Sequence, residues 1–258
     1  LEADLGARLL HRTTRRVSPT SAGQAYFEQC RPLLAELEEL DAAMHSNTAE
    51  PKGELRVTAP VSFAEVHLMR PVSEFSGRYP EVRLNLILSD HFVDLVDERI
   101  DVAIRIGDLE DSSLVARKLG TTSLIACASP GYLDEHGEPT HPQQLSDHLC
   151  VIDSNHPAGT RWTFHEVGND VTVDVAAKMV VNSASAAREL VLLGDGISYL
   201  PSFAIADDIA KGQLRRLLPD HESMPLGVYA VYPHRRHLSA KVRLFIEHLA
   251  THCKDMCV

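Results

Sequence analysis

The sequence predicts an α/β protein built from buried sheets covered by helices, with a separate amphipathic helix ahead of it. Three observations predict this. From about residue 53 onward, short runs rich in Val, Ile and Leu alternate with longer helical stretches, the pattern of strands buried on both faces. Tyr26, Cys30, Leu33, Leu37, Leu40 and Met44 follow one another at steps of four and three, which is a heptad seam. Between the two regions, the polar and breaker-rich run from Ser46 to Gly53 reads as a domain boundary.

Taken in order, Leu1, Leu5 and Leu9 recur at helical spacing, and Gly6 ends that short helix. Leu9–Arg12 and Arg15–Val17, joined by Thr13-Thr14, suit two short strands. Ser18-Pro19-Thr20 breaks the pattern, and Thr20 is a good N-cap for a helix running from Ser21 to about Met44. Pro32 should kink that helix. Its apolar stripe cannot be buried alone, so it needs a partner, most simply a second copy of itself.

Strands are then expected at Leu55–Ala59, Val82–Leu88, Asp101–Ile106, Leu114–Arg117 and Ser123–Ala128. Later ones fall at Cys150–Ile152, Val171–Val175, Met179–Val181, Ile197–Leu200 and Gly227–Tyr232. Helices fit Ser62–Arg78, Ser183–Leu193, Pro201–Lys211 and Ser239–His252. Trp162 is assigned to the core. There is no internal repeat.

Composition narrows the function. With 258 residues, 44% hydrophobic and 24% charged, the chain can build one large or two modest cores. No apolar run approaches the length needed to span a bilayer, and Leu1-Glu2-Ala3-Asp4 is no signal peptide, so a cytoplasmic location without a membrane partner is expected. The absence of an initial Met suggests that something upstream is missing. Five scattered cysteines argue against a disulfide framework and for a reducing compartment. Cys253 and Cys257 lie beside His248 and His252, but the spacing fits no zinc pattern, so neither a metal nor any cofactor is expected.

The net charge of −11 discourages a nucleic-acid role for the whole, yet Arg8, Arg12, Arg15 and Arg16 form a basic run without an acid. A basic head on an acidic body allows a nucleic-acid contact confined to one end. Enzyme signatures are missing. No Gly-x-Ser-x-Gly elbow, phosphate loop or His-Glu-x-x-His occurs, and Gly194-Asp195-Gly196 lacks the third glycine of a dinucleotide fingerprint and precedes a strand. A catalytic role is therefore not expected.

The ordered motifs resemble those of LysR-type transcriptional regulators. Leu9, Arg12, Arg15, Val17, Thr20, Ala22 and Gly23 resemble the run that follows the recognition helix in that family, and Leu1 to Gly6 the end of that helix. Gly53-Glu54-Leu55-Arg56-Val57 resembles the first strand of the effector domain, and Phe75 to Val82 its first helix end and second strand. Asp101 to Gly107 resembles its third strand, and Gly194-x-Gly196-Ile197-x-x-Leu200-Pro201 its distal lobe.

The resemblance implies a two-lobed, periplasmic-binding-protein-like effector domain, preceded by a linker helix and the wing remnant of a winged helix-turn-helix. Its expected divisions are 1–20 for the remnant, 21–50 for the linker and hinge, and 51–258 for the effector domain. Lobe I would take about 53–128 and 223–258, and lobe II about 129–222. It further implies promoter DNA as a partner of the full-length protein, through Arg12, Arg15 and Arg16, though a solvated basic turn is the plain alternative. Most of the DNA-reading head would lie before Leu1, so this chain by itself is expected not to bind an operator specifically. A homodimer or homotetramer paired through Tyr26, Cys30, Leu33, Leu37, Leu40 and Met44 is also implied.

In two-lobed α/β domains ligands sit between lobes, at carboxyl ends of strands and N-termini of helices. Ser62 after the first strand, Thr121 and Thr122 before the strand crossing between lobes, and Asn182 and Ser183 at the distal helix supply such ends. Facing helix N-termini favour an anion, so a small carboxylate effector is expected. Val61, Phe63 and Ile104 would form an apolar wall. The plain alternative for Ser62 and Ser183 is service as N-caps only. Arg105 either lines the cleft or pairs with Asp90 or Asp101. A solute-binding protein without a DNA role is the competing reading.

Overall fold

A computed structural model describes residues 1–12, 17–30, 33–34, 50–91, 94–95, 97–107, 114–156, 159–166, 169–223, 225–233 and 238–253. The N-terminal piece begins with α1 (Glu2–Leu5), closed by Gly6 in the left-handed conformation at φ 62°. Strands β1 (Leu10–Arg12) and β2 (Val17–Pro19) pair antiparallel, Leu10 opposite Pro19. The second strand therefore runs two residues past Val17, where the sequence suggested a break. Proline is tolerated there because a two-stranded ribbon has only edges. Glu2 accepts the amides of Leu9 and Leu10 at 2.7 and 2.9 Å, tying α1 to the hairpin.

Thr20 caps the linker helix α2, described over 21–30, by accepting the Gly23 amide at 2.9 Å. Gly23 is required by contact rather than by dihedral angle: a Cβ there would lie 1.9 Å from the Leu9 carbonyl oxygen. Thr13, Thr14, Arg15, Arg16, Leu37, Leu40, Met44 and the boundary residues 46–49 lie outside the described residues.

From residue 53 the chain alternates as expected. Strand β3 (Gly53–Ala59) lies parallel to both β4 (Val82–Leu88) and β5 (Val102–Ile106). Helix α3 joins β3 to β4 and runs as Val61–Phe63, a π-helical turn at Ala64–Leu68, and Met69–Arg78. The π turn falls where Pro71 deprives the His67 carbonyl of its backbone donor.

Strand β6 (Leu114–Ala128) is continuous over 15 residues, where two shorter strands were expected. Its first part pairs with β14 (Pro225–Pro233), Leu114 to Ser123, and its last part with β11 (Ser198–Pro201), Leu124 to Cys127. The passage between sheets thus falls inside one strand. Helix α7 (Ala240–Cys253) closes this lobe against α3, with Phe75, Phe245, Leu249 and Val57 in one apolar core.

The distal lobe opens with α4 (Pro130–His136), capped by Ser129, and a 3-10 turn at Pro142–Asp147. Strands β7 (Leu149–Asp153) and β10 (Ala176–Val181) pair parallel, with the hairpin β8 (Arg161–Glu166) and β9 (Asn169–Asp174) between them in sequence. Helices α5 (Ala184–Leu192) and α6 (Ser202–Ala210) follow, with short β12 (Arg215–Arg216) on β6 and β13 (Glu222–Ser223) on β8. Trp162 is core as expected, packed with Phe164, Tyr199 and Leu145. Lys178, on β10, meets Asp195 at 2.9 Å.

Candidate functional site

The cleft is built where strands end. Lobe I delivers Pro60 and Val61 after β3 and Asp90 after β4; lobe II delivers Asp153 at the end of β7, Asn182 and Ser183 after β10, and Ser202 and Phe203 after β11. Each lobe enters a helix the same way. Pro60 (φ −59°, ψ 140°) precedes Val61-Ser62-Phe63, and Pro201 (φ −56°, ψ 134°) precedes Ser202-Phe203. The fixed proline φ directs the first turn, and the first-turn amides have no partner within their own helix.

These two first turns meet. Phe63 and Phe203 stack edge to face at 5.3 Å, and His67 closes the trio at 5.2 and 5.5 Å from them. The Thr122 and Ser202 hydroxyls lie 3.1 Å apart and are buried, at the point where β6 passes from one sheet to the other. Phe63, His67, Thr121, Thr122 and Phe203 line one small pocket with Gly120 and Val228. Burial lowers the pKa of His67, which keeps the ring neutral near pH 7.

Two acids, one from each lobe, stand at these strand ends. Asp90 accepts the Val61 amide at 2.9 Å and so caps α3. Asp153 has its pKa raised, first by burial and further by the negative charge of Asp90, against the opposing hydrogen bond from the Asn155 amide.

The expected residues divide accordingly. Ser62 is buried, Val61 is partly exposed, and Thr121 and Thr122 lie within β6 rather than ahead of a strand. Asn182 is exposed, and Ser183 caps α5 by accepting the Ala186 amide at 3.3 Å. Ile104 is wholly inside the lobe I core with Val57 and Val102, so it backs the wall and does not face the cleft. Arg105, its neighbour on β5, points to the other sheet face, opposite Tyr229. Burial lowers its pKa. Of its suggested partners, Asp101 accepts the Arg56 amide at 2.9 Å, and Asp90 the Val61 amide.

Ser202, Phe203, His67 and Asp153 were not anticipated, and Asp90 was named only as a possible partner of Arg105. The repeated Pro-x-Ser-Phe and Pro-Ser-Phe at two strand-to-helix junctions was the available signal. On α2, Tyr26 and Cys30 are partly exposed and hydrogen-bonded to each other through their side chains. Leu33 is 63% exposed. Arg12 lies in β1.

Two α/β lobes joined by crossing strands, with hydroxyls and helix N-termini at the pivot, define a ligand-binding regulatory domain. Residues 48–254 match the LysR substrate binding domain family. The chain is 38% identical over 252 residues to the HTH-type transcriptional regulator PtxR of Pseudomonas aeruginosa, covering 98% of this chain and 81% of that one. It is 35% identical over 242 residues to an HTH-type transcriptional regulator of Haemophilus influenzae, covering 94% and 84%. CrgA, a LysR-type transcriptional regulator from Neisseria meningitidis, matches in structure with a TM-score of 0.72 and 31% identity, over 98% of this chain and 86% of that one. This chain belongs to the LysR family of DNA-binding transcriptional regulators, with an effector-binding domain of two lobes. The solute-binding alternative is not favoured by these relatives. Among the described residues no helix is long and apolar enough to cross a membrane.

Proposed function

We propose that the effector is a small carboxylate held between the lobes, contacted by Val61, Ser62, Phe63, Thr121, Thr122, Asn182 and Ser183, with Ile104 and Arg105 as support. The observation that carries this reading is the Thr122–Ser202 hydroxyl pair, set beside the first turns of α3 and α6. Asp90 already occupies the Val61 amide, leaving the amides of Ser62 and Phe63 as the anion donors of α3. The effector is bound and released unchanged, in the cytoplasm.

Residues 1–20, 21–50 and 51–258 form DNA-contacting, linker and sensing parts, with lobe I at about 53–128 and 223–258 and lobe II at about 129–222. Arg12, Arg15 and Arg16 contact promoter DNA in the full-length protein. The seam from Tyr26 to Met44 pairs copies into a homodimer or homotetramer. An effector that prefers one closure of the lobes shifts that assembly and the spacing of its DNA contacts.

Calorimetry with small organic acids and their matched neutral amides tests the site. An acid should bind, and Thr122→Val should weaken it about tenfold, the loss of one hydrogen bond worth ~1.4 kcal/mol. An amide that binds as tightly as its acid removes the carboxylate reading. Binding unaffected by Thr122→Val and Ser62→Ala removes the site.

A further inference from the structure

Away from the cleft, α3 and α7 bring Glu74, His248 and His252 together. One ligand atom from each lies within 4.8 Å of the others. His248 and His252 are one turn apart on α7, with ring centroids 4.3 Å apart, and Glu74 approaches from α3. The arrangement is already ordered by its surroundings. One ring nitrogen of His248 sits 2.9 Å from the Pro71 carbonyl, and Nδ1 of His252 sits 2.9 Å from the His248 carbonyl. A backbone carbonyl on one ring nitrogen fixes the tautomer and turns the other nitrogen to an ion, the usual support of a metal-bound histidine.

The carboxylate is ordered too. Arg70 holds Glu74 Oε1 at 2.9 Å, while Oε2 lies 2.8 Å from His252 Nε2. The His248 ring packs against the buried Phe75 ring at 5.7 Å, which limits its rotation. His252 and Glu74 are 30% and 41% exposed, so an ion can reach them.

We propose that Glu74, His248 and His252 form a divalent transition-metal site that pins α3 to α7. Two imidazoles and one carboxylate suit zinc and its neighbours nickel and cobalt, and do not suit magnesium, which favours all-oxygen octahedral shells. The ion takes the place of the proton shared by His252 Nε2 and Glu74 Oε2. The sequence grouped the two histidines with Cys253 and Cys257 and found no zinc pattern; Glu74 stands 178 residues from His252 and belongs to no local motif.

The test uses this 258-residue chain freed of metal by chelator dialysis. Its melting temperature is read with zinc, nickel or magnesium chloride, alongside Glu74→Gln and His252→Gln. Zinc and nickel should raise the melting temperature of the parent by roughly 5 °C at saturation, magnesium should not, and both variants should lose the rise. Each variant's own cooperative melt without metal shows that it is folded, and equilibrium dialysis of zinc counts bound ion in either that is not. No rise with the parent, or a rise kept by either variant, overturns the three-ligand site.

Discussion

Asp153 and Asp208 are both acids of the distal lobe, and their neighbours treat them oppositely. Asp208 is almost fully buried, yet both its oxygens accept from the Arg188 guanidinium, one at 2.6 Å. The bidentate pair locks α5 to α6, and the Asp208 hydrogen bonds are the first cause that raises the Arg188 pKa. Asp153 is only half-buried but faces Asp90, and its pKa is raised from 3.8 by burial and then by that charge. A raised carboxyl pKa means the folded state holds its proton to higher pH than the unfolded state. Stability is then fullest below the unfolded value and falls as pH rises through the folded one. Asp153→Asn, which keeps the oxygen facing the Asn155 amide, should therefore be more stable than the parent at neutral pH, with the gain disappearing on acidification. Urea unfolding of both proteins at about pH 7 and about pH 4 measures it. A variant less stable at neutral pH would mean that Asp153 has a cationic partner.

At the scale of elements, backbone approach decides more than composition does. Gly194 and Gly196 both have positive φ, 88° and 146°, but they differ in surroundings. A Cβ on Gly194 meets only the Ser129 hydroxyl at 3.7 Å, whereas one on Gly196 would lie 2.3 Å from the Leu149 carbonyl oxygen, where β7 pairs with the chain entering β11. Gly194→Ala should cost ~1–2 kcal/mol through its dihedral angle alone. Gly196→Ala should cost clearly more, because the β7 backbone must move. Thermal melts of the two variants compare them directly, and equal costs would show that β7 yields without resistance.

The same scale explains what the sequence conceals. Arg117, Lys118 and Gly120 interrupt the apolar run of β6 where it pairs with β14 and Arg117 and Lys118 are exposed, so one long strand reads as two. Strand β8 had a clear alternation, with Trp162 and Phe164 inward and Thr163 and His165 outward, but its charged ends hid it. Helix α4 showed its Ser129-Pro130 start, yet at 7 residues is too short for a periodicity.

For the whole molecule, legibility depended on range. Ser62 stands at a strand-to-helix junction that has a local signature, whereas Thr122 lies inside β6 and its meeting with Ser202 has none. The meeting of Phe63 with Phe203, and of Glu74 with His252, arises only once both lobes and both ends of lobe I are folded. That Ile104 and Arg105 face opposite sides of β5 follows from strand alternation, a local rule available in the sequence. The linker is the remaining large-scale feature. Leu33 of the predicted seam is 63% exposed, and Phe27 and Leu34, 57% and 60% exposed, widen that seam into a broader apolar stripe. An isolated helix gains little from such a stripe in water, whereas pairing two copies buries it. Leu33→Glu places a charge in that seam without touching either lobe core. Sedimentation velocity over a range of concentrations should show the parent as a dimer or larger and Leu33→Glu shifted toward monomer. The lobes should still melt as in the parent. An unchanged sedimentation profile would mean that the assembly is held through the effector domains, with the linker helices contributing orientation and not affinity.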